Sequence, residues 1–542
     1  MEDIIIGRIT TTENEFSTTD FFQFWTNVDV VLDILDIVKV RRRDGSYTYG
    51  SIERIFQVSD AADHLTNYIS CGFGDPYHEN KTKRIEFNLI TARFVCNKPA
   101  IDDSPELHTP PVNNEKVYLC SAKEIQQAMG LTGGSRIPFG YMEMYGGKVK
   151  VGVELLSNMI LNPDGAHMNV SGISGLAAKT TSTMAILNAV QQKLAMDERI
   201  AFVFFNVKGE DLMAIDIPAG EVHDKKLAEG ITNYQCCFPN IKHEPFKNVT
   251  YYHPACDMVS GDNINHYYFP YLQCKDNLEL IFAGDDDTSG TMDSIIRFLK
   301  SNDDKVKGIN SWDELKNCLG KFSGSSEKKD AGVSKSSYDK AYRIINTVVA
   351  DDSVFTDEIE IESGNKVRNL IESVSNIKTG EIAVIDIHSL RFCEQAFVLG
   401  SVQKAIAKMV KANKHSEDYP LKVVIFVDEL NKFAPISAGK EKAVEKILEE
   451  IAERGRTEGT ILFSAEQFRS SVDSNIIGNC STSLLGRTNA MELANSIYKN
   501  ISPACQTMMT NLKPGESILF SPELVSFVKV KFPFPAYKLP NQ

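Results

Sequence analysis

The run NVSGISGLAAKTTSTMAILNAV, opening at Asn169, admits few folds. A short apolar strand enters a glycine-containing loop, the loop ends in Lys179-Thr180, and a helix-period stretch with Met184, Leu187 and Val190 follows. Backbone N–H groups of such a loop converge with a helix N-terminus on one point, so the arrangement suits a phosphate. Gly172, Ser174, Gly175, Leu176, Ala177 and Ala178 are the expected cradle, closed by Lys179, Thr180 and Thr181. Lys179 is expected to reach the β- and γ-phosphates of ATP and Thr180 to ligate Mg²⁺. The pattern departs from the usual template: Ala178 stands where glycine normally precedes the lysine, and counted from Gly172 the loop is one residue longer. Both alanines fit provided neither needs a positive φ. A plain Gly/Ser turn before a helix is the alternative.

A second feature favours the phosphate reading. LKVVIFVDEL places Asp428 and Glu429 at the end of a strongly apolar strand, and ligand groups of doubly wound sheets collect at that edge. Asp428 would hold Mg²⁺ through water, and Glu429 would polarise the attacking water. An acidic strand end facing solvent is the alternative. TILFSAEQF leads to Gln467, suited to sensing the γ-phosphate, and SLLGRT to Arg487, suited to reaching phosphate; either suits a structural role equally. The amphipathic run KAVEKILEEIAERGRTEG ends with Arg454 and Arg456. Cations there complement the helix dipole, worth roughly a few tenths of a kcal/mol. Alternatively one of them enters a neighbouring subunit's site as an arginine finger, worth on the order of 10³–10⁵ in rate.

Around these motifs the pattern is α/β. Apolar strands are expected at Met168–Val170, Ala201–Val207, Ile382–Ile387, Val423–Val427, Ile461–Ser464 and Ser483–Leu485. Alternating with helical stretches, they predict a parallel sheet covered on both faces. Residues 1–108 carry short β-type runs (Ile4–Ile9, Val28–Val40, Tyr47–Phe56, Arg84–Phe94) with hairpin turns, which predict a small β-barrel. Ile101–Lys116 reads as a linker, and 109–149 as linker and lead-in to the core. The ATPase core is expected over 150–211 and 381–542, ending in a hairpin of Ser517–Phe520 and Val525–Val530 and a tail. Between its halves, 212–380 reads as a largely helical insertion with helices at Met292–Lys300, Trp312–Leu319 and Tyr338–Val349 and a mobile Ser323–Ser337.

Composition excludes little. A 42% hydrophobic and 24% charged fraction is ordinary for a globular chain of 542 residues. No apolar run of about 18 residues is present, so no membrane span is expected. The start MEDIIIGRI lacks the form of a secretory signal. The 11 cysteines are scattered without paired spacing, which fits a reducing, cytoplasmic setting. A net charge of −14 argues against a broad nucleic-acid-coating surface, though not against a ring with a basic channel. His253 and Cys256 in YYHPAC, with His243, His266 and Cys274, lack structural-zinc spacing and read as ordinary core or loop residues. Lys404, Lys408 and Lys411 share a helical face that reads first as solvated; with Lys208 and Lys432 they are also candidates for a DNA backbone.

The glycine loop, the FNVKGEDL run, the DEL strand, the IAERGRTEGTILFSAEQF segment and the KFPFPAYK tail, taken in order, resemble the HerA family. HerA proteins are similar to FtsK-like motors. The resemblance implies a homohexameric ATPase that binds double-stranded DNA in a central channel, built from an N-terminal HerA–ATP synthase (HAS) barrel and a RecA-like core with an inserted helical bundle. It implies that Lys179, Thr180, Asp428, Glu429 and Gln467 act at the nucleotide, with Arg454 as the finger. Glu210 is retained from the family pattern, whereas Asn206 stands where aspartate is usual, which bears on hydrolysis rate. The GLAAKT loop resembles a HerA-like subset of bacterial antiphage operons, in which the ring partners a nuclease or sirtuin-like effector. Two functions follow: a double-stranded DNA translocase or helicase working with such an effector, or an ATP-binding hexameric scaffold that assembles and activates the effector. In the second, the barrel at 1–108 is the docking platform.

Overall fold

The computed structural model describes all residues except 1–3, 79–83, 99–107, 162–164, 174–177, 258, 283–290, 302, 325–332, 351, 359–365, 437–442, 456–457 and 541–542. The chain forms two compact units, one of residues 1–156, 229–239 and 487–532, the other of 157–228, 240–486 and 533–542.

The first unit opens with a closed antiparallel barrel of β1 (Ile5–Ile9), β2 (Phe21–Thr26), β3 (Ile37–Arg41), β4 (Tyr47–Ser59), β5 (Glu86–Lys98) and β6 (Lys116–Leu119), in the order β1-β2-β5-β4-β3-β6. Period-2 alternation fills it: along FFQFWT, Phe22, Phe24 and Thr26 are buried while Trp25 faces out. Ile9, Val38, Val40, Ile52, Ile90 and Val117 complete this core. At Gly50 a Cβ would meet the Phe22 ring at 2.4 Å, so glycine lets β4 press against β2's side chain.

Two expectations, one of a strand and one of a linker, shift here. Val28–Val40 is strand only from Ile37, because Leu35 takes a left-handed φ of 71° and Asp36 Oδ2 accepts from Asp33 N at 2.8 Å, closing a turn. Ile101–Lys116 lies outside the described residues through 107, and its last residue begins β6, which pairs with both β1 and β3 and closes the barrel. Beyond it, β7 (Arg136–Met144) and β8 (Val149–Leu156) form an antiparallel pair.

The second unit contains β9 (Gly165–Ala166), β10 (Met168–Ser171), β11 (Ile200–Asn206), β12 (Val249–Pro254), β13 (Ile264–Tyr267), β14 (Ile382–Asp386), β15 (Lys422–Asp428), β16 (Thr460–Glu466) and β17 (Thr482–Leu485). All but β9 join one parallel sheet, ordered β13-β12-β14-β11-β15-β16-β10-β17. β11 and β14 are buried at every position, as a sheet covered on both faces requires. Segment 212–380 supplies the expected helices (Thr291–Leu299, Trp312–Gly324, Lys335–Val348) and also β12 and β13. Those two strands are short and carry His253, Asn265 and His266, so they give little of the continuous apolar signal by which parallel strands are recognised. Of the run Ser323–Ser337, residues 325–332 lie outside the described residues, and Ser334 caps the helix that follows. In the first unit, β18 (Glu516–Phe520) and β19 (Val528–Lys531) form the expected terminal hairpin, with β19 paired to β7. No helix among the described residues is long and apolar enough to cross a membrane.

Candidate active site

The strand order decides where chemistry can gather. β16 lies between β10 and β15, so the ends of the glycine-loop strand and the acidic-pair strand are roughly 10 Å apart, within reach of groups at the start of the helix that follows β10. Gly172 is tied to β16 by its N–H, which donates to Glu466 O at 3.1 Å. Ser174, Gly175, Leu176 and Ala177 lie outside the described residues, and so does the side chain of Ala178. The helix Ala178–Lys193 begins there, so Lys179, Thr180 and Thr181 occupy its first turn, where the helix dipole favours an anion.

Thr180 Oγ1 donates to Asp428 Oδ2 at 3.2 Å, so the hydroxyl and carboxylate expected at one metal are in contact. Lys179 is only 8% exposed. Burial pushes its ammonium below the ordinary lysine value, with Asp428, Glu466 and Glu429 pulling the other way. Burial likewise raises the Asp428 carboxyl, opposed by Lys179, the Glu429 N–H and Thr180.

After Asp428 the backbone turns sharply. Glu429 sits at φ 53° and ψ 47°, left-handed, which costs a non-glycine residue about 1 kcal/mol or more. Its N–H donates to Asp428 Oδ1 at 2.8 Å and its carbonyl accepts from Lys432 N at 2.9 Å, holding it from both sides. Its carboxylate lies 3.4 Å from Lys208 Nζ and 3.5 Å from Gln467 Nε2. Groups following β11, β15 and β16 thus meet at one carboxylate.

Two acidic residues escaped sequence reasoning. Glu466, the last residue of β16, is fully buried. Its Oε1 accepts from Asn169 Nδ2 at 2.5 Å, and its Oε2 has no hydrogen-bond partner among the described residues. Burial pushes this carboxyl up to about 8. The available signal was a lone carboxylate closing the apolar run of TILFSAEQF. Asp211 is half-buried, and its carboxyl is raised by burial and then by Asp428. Even with Glu466 holding its proton, Asp211, Asp428 and Glu429 outnumber Lys179 and Lys208 here. An all-oxygen set with surplus negative charge fits a hard divalent cation such as Mg²⁺.

The remaining expected residues are placed otherwise. Glu210 is exposed. Arg454 is exposed in the π-type turn Ile451–Gly455, a turn pinned because a Cβ on Gly455 would lie 2.4 Å from Thr460 O. Arg456 lies outside the described residues. Arg487 belongs to the first unit, exposed, with its Nε donating to Thr510 O at 3.1 Å. Asn206 is buried and donates to Gly209 O and Asp386 Oδ1, both at 2.8 Å. Lys404 pairs with Glu279 at 2.6 Å, whereas Lys408, Lys411 and Lys432 are exposed.

No protein-family model matches the chain, and no curated protein matches it. Solved structures do. The bacterial conjugative coupling protein TrwB, in an unbound form, is 10% identical with a TM-score of 0.45, over 78% of this chain and 93% of that one. TrwB in complex with the ATP analogue ADPNP is 10% identical with a TM-score of 0.44, over 76% and 98%. The genome packaging NTPase B204 from Sulfolobus turreted icosahedral virus 2, in complex with ATP-gammaS, is 14% identical with a TM-score of 0.24, over 30% and 72%.

Proposed function

We propose that this chain is an ATP hydrolase that works as a homohexameric motor on double-stranded DNA together with a nuclease or sirtuin-like effector, as in antiphage defence. One observation carries the hydrolase reading: Lys179, Thr180, Asp428, Glu429 and Gln467 converge at the carboxyl edge of one parallel sheet. Lys179 and the first-turn N–H groups would bind the phosphates. Thr180 and Asp428 would hold Mg²⁺, which when bound neutralises charge on the phosphoryl oxygens. Glu429, fixed by its backbone bonds, would take the proton of the attacking water, and Gln467 would orient that water. The Glu429 ion pair with Lys208 uses Oε1 and leaves Oε2 for that water.

The ring, the DNA and the effector rest on the HerA resemblance. Arg454, exposed on its turn, is the finger in this reading. In this reading the effector docks on the barrel, where exposed Trp25 with Phe87 and Leu89 edges a groove also lined by Thr10, Thr12, Glu15 and Gln23. The net charge of −14 and the engagement of Lys404 by Glu279 favour the scaffold as a second reading, with nucleotide stabilising the assembly.

Dilution tests the shared-site claim. ATPase activity per chain is expected to collapse below the concentration at which light scattering shows the ring dissociating, and Arg454→Ala is expected to lower turnover by about 10³ while ATP still binds. Activity per chain independent of concentration, with Arg454→Ala within a few-fold of wild type, contradicts it.

A further inference from the structure

A second polar cluster lies further along the same carboxyl edge, where β12 and β14 end. One ring nitrogen of His253, one oxygen of Asp257 and one of Asp386 all lie within 4.8 Å of one another. The His253 side chain is 9% exposed, and its Nδ1 is sealed from solvent without a well-formed hydrogen bond among the described residues. Asp386 Oδ2 lies 3.4 Å from it. That is long for a charge-assisted hydrogen bond. It matches the roughly 3.4 Å between two ligands that each sit about 2.1 Å from a tetrahedral zinc ion.

Both carboxylates are oriented by further hydrogen-bond partners. Asp386 Oδ1 accepts from Asn206 Nδ2 at 2.8 Å and lies 2.9 Å from His388 Nδ1, which leaves Oδ2 toward His253. Asp257 Oδ2 accepts from Ser389 Oγ at 3.0 Å. Outer groups that fix a ligand's orientation are the usual surround of a metal site. An imidazole beside two carboxylates selects first-row transition ions over Mg²⁺ or Ca²⁺, and the two negative charges balance one divalent cation.

We propose that His253, Asp257 and Asp386 bind one divalent transition-metal ion of the zinc or manganese class, separate from the nucleotide site. The ion would also stiffen the loop after β11, because Asn206 bridges Asp386 to Gly209 O, next to the Lys208 that pairs with Glu429. The ligands come from two segments far apart in the chain, so no local spacing announces them.

The test uses the full chain, stripped with chelator and free of nucleotide, titrated separately with Zn²⁺ and Mn²⁺ by calorimetry, with bound metal counted after gel filtration. One equivalent per chain is expected for at least one ion, with a raised unfolding midpoint. Asp257→Ala, at a half-buried loop position, is expected to weaken binding at least ~10-fold, Asp257→Asn to weaken it less, and Thr180→Ala to leave it unchanged. Circular dichroism confirms that each variant is folded. Failure of both ions to bind, or binding that survives Asp257→Ala, overturns the proposal. Binding lost in Thr180→Ala overturns it too, by placing the ion at the nucleotide site.

Discussion

Glu429→Gln is expected to lower ATP turnover by about 10²–10⁴ while ATP affinity stays within a few-fold of wild type. The asymmetry follows from position. Lys179, Thr180 and the helix N-terminus meet the phosphates, whereas Glu429 stands past the end of β15, in contact with Lys208 and Gln467. Glutamine keeps the shape and the left-handed backbone but cannot accept a proton. Glu429→Gly provides the partner measurement: it removes the base and relieves the backbone at φ 53°, so it is expected to be equally inactive. Single-turnover hydrolysis with a parallel nucleotide-binding titration separates the steps. Turnover within a few-fold of wild type in both variants assigns the base elsewhere.

The second large effect is a pH dependence of stability set by Glu466. Its carboxyl titrates at about 8 in the folded chain against a model-peptide value of 4.5, because burial disfavours the ion. Between those values the folded chain keeps a proton that the unfolded chain has released. Protonation therefore contributes stability that is fully present below about pH 4.5 and is lost as pH rises through about 8. The slope is on the order of 1.4 kcal/mol per pH unit at its steepest. Glu466→Gln cannot ionise and keeps an oxygen for Asn169 Nδ2, so its slope over that window is expected to be shallower and its stability above pH 8 greater than wild type. Asp36, raised to about 6 by burial in the barrel unit, adds a similar trend at lower pH, but in both proteins alike, so it cancels in the difference. Urea unfolding of the metal-free chain from pH 5 to 9 reads this difference. Parallel curves would show that Glu466 ionises without cost.

What could be read in advance follows from how locally each feature is encoded. Asp428-Glu429 was legible because an apolar strand stops abruptly at two carboxylates, and Lys179-Thr180 because the strand, loop and helix are consecutive. Glu466 was not: its meaning depends on β16 lying between β10 and β15, a non-local fact. The same holds for β6, whose four residues matter only because they close the barrel. In sequence Lys208 reads as a channel candidate, yet it pairs with Glu429, a contact between segments that sequence does not juxtapose. His253 and Asp386 face each other for the same reason, through neighbouring strands distant in the chain.

The most direct measurement of the central claim is steady-state ATP hydrolysis by the purified chain with and without double-stranded DNA, beside Lys179→Ala. Hydrolysis stimulated several-fold by DNA and absent from Lys179→Ala is the expected result. No Lys179-dependent hydrolysis under either condition would contradict it.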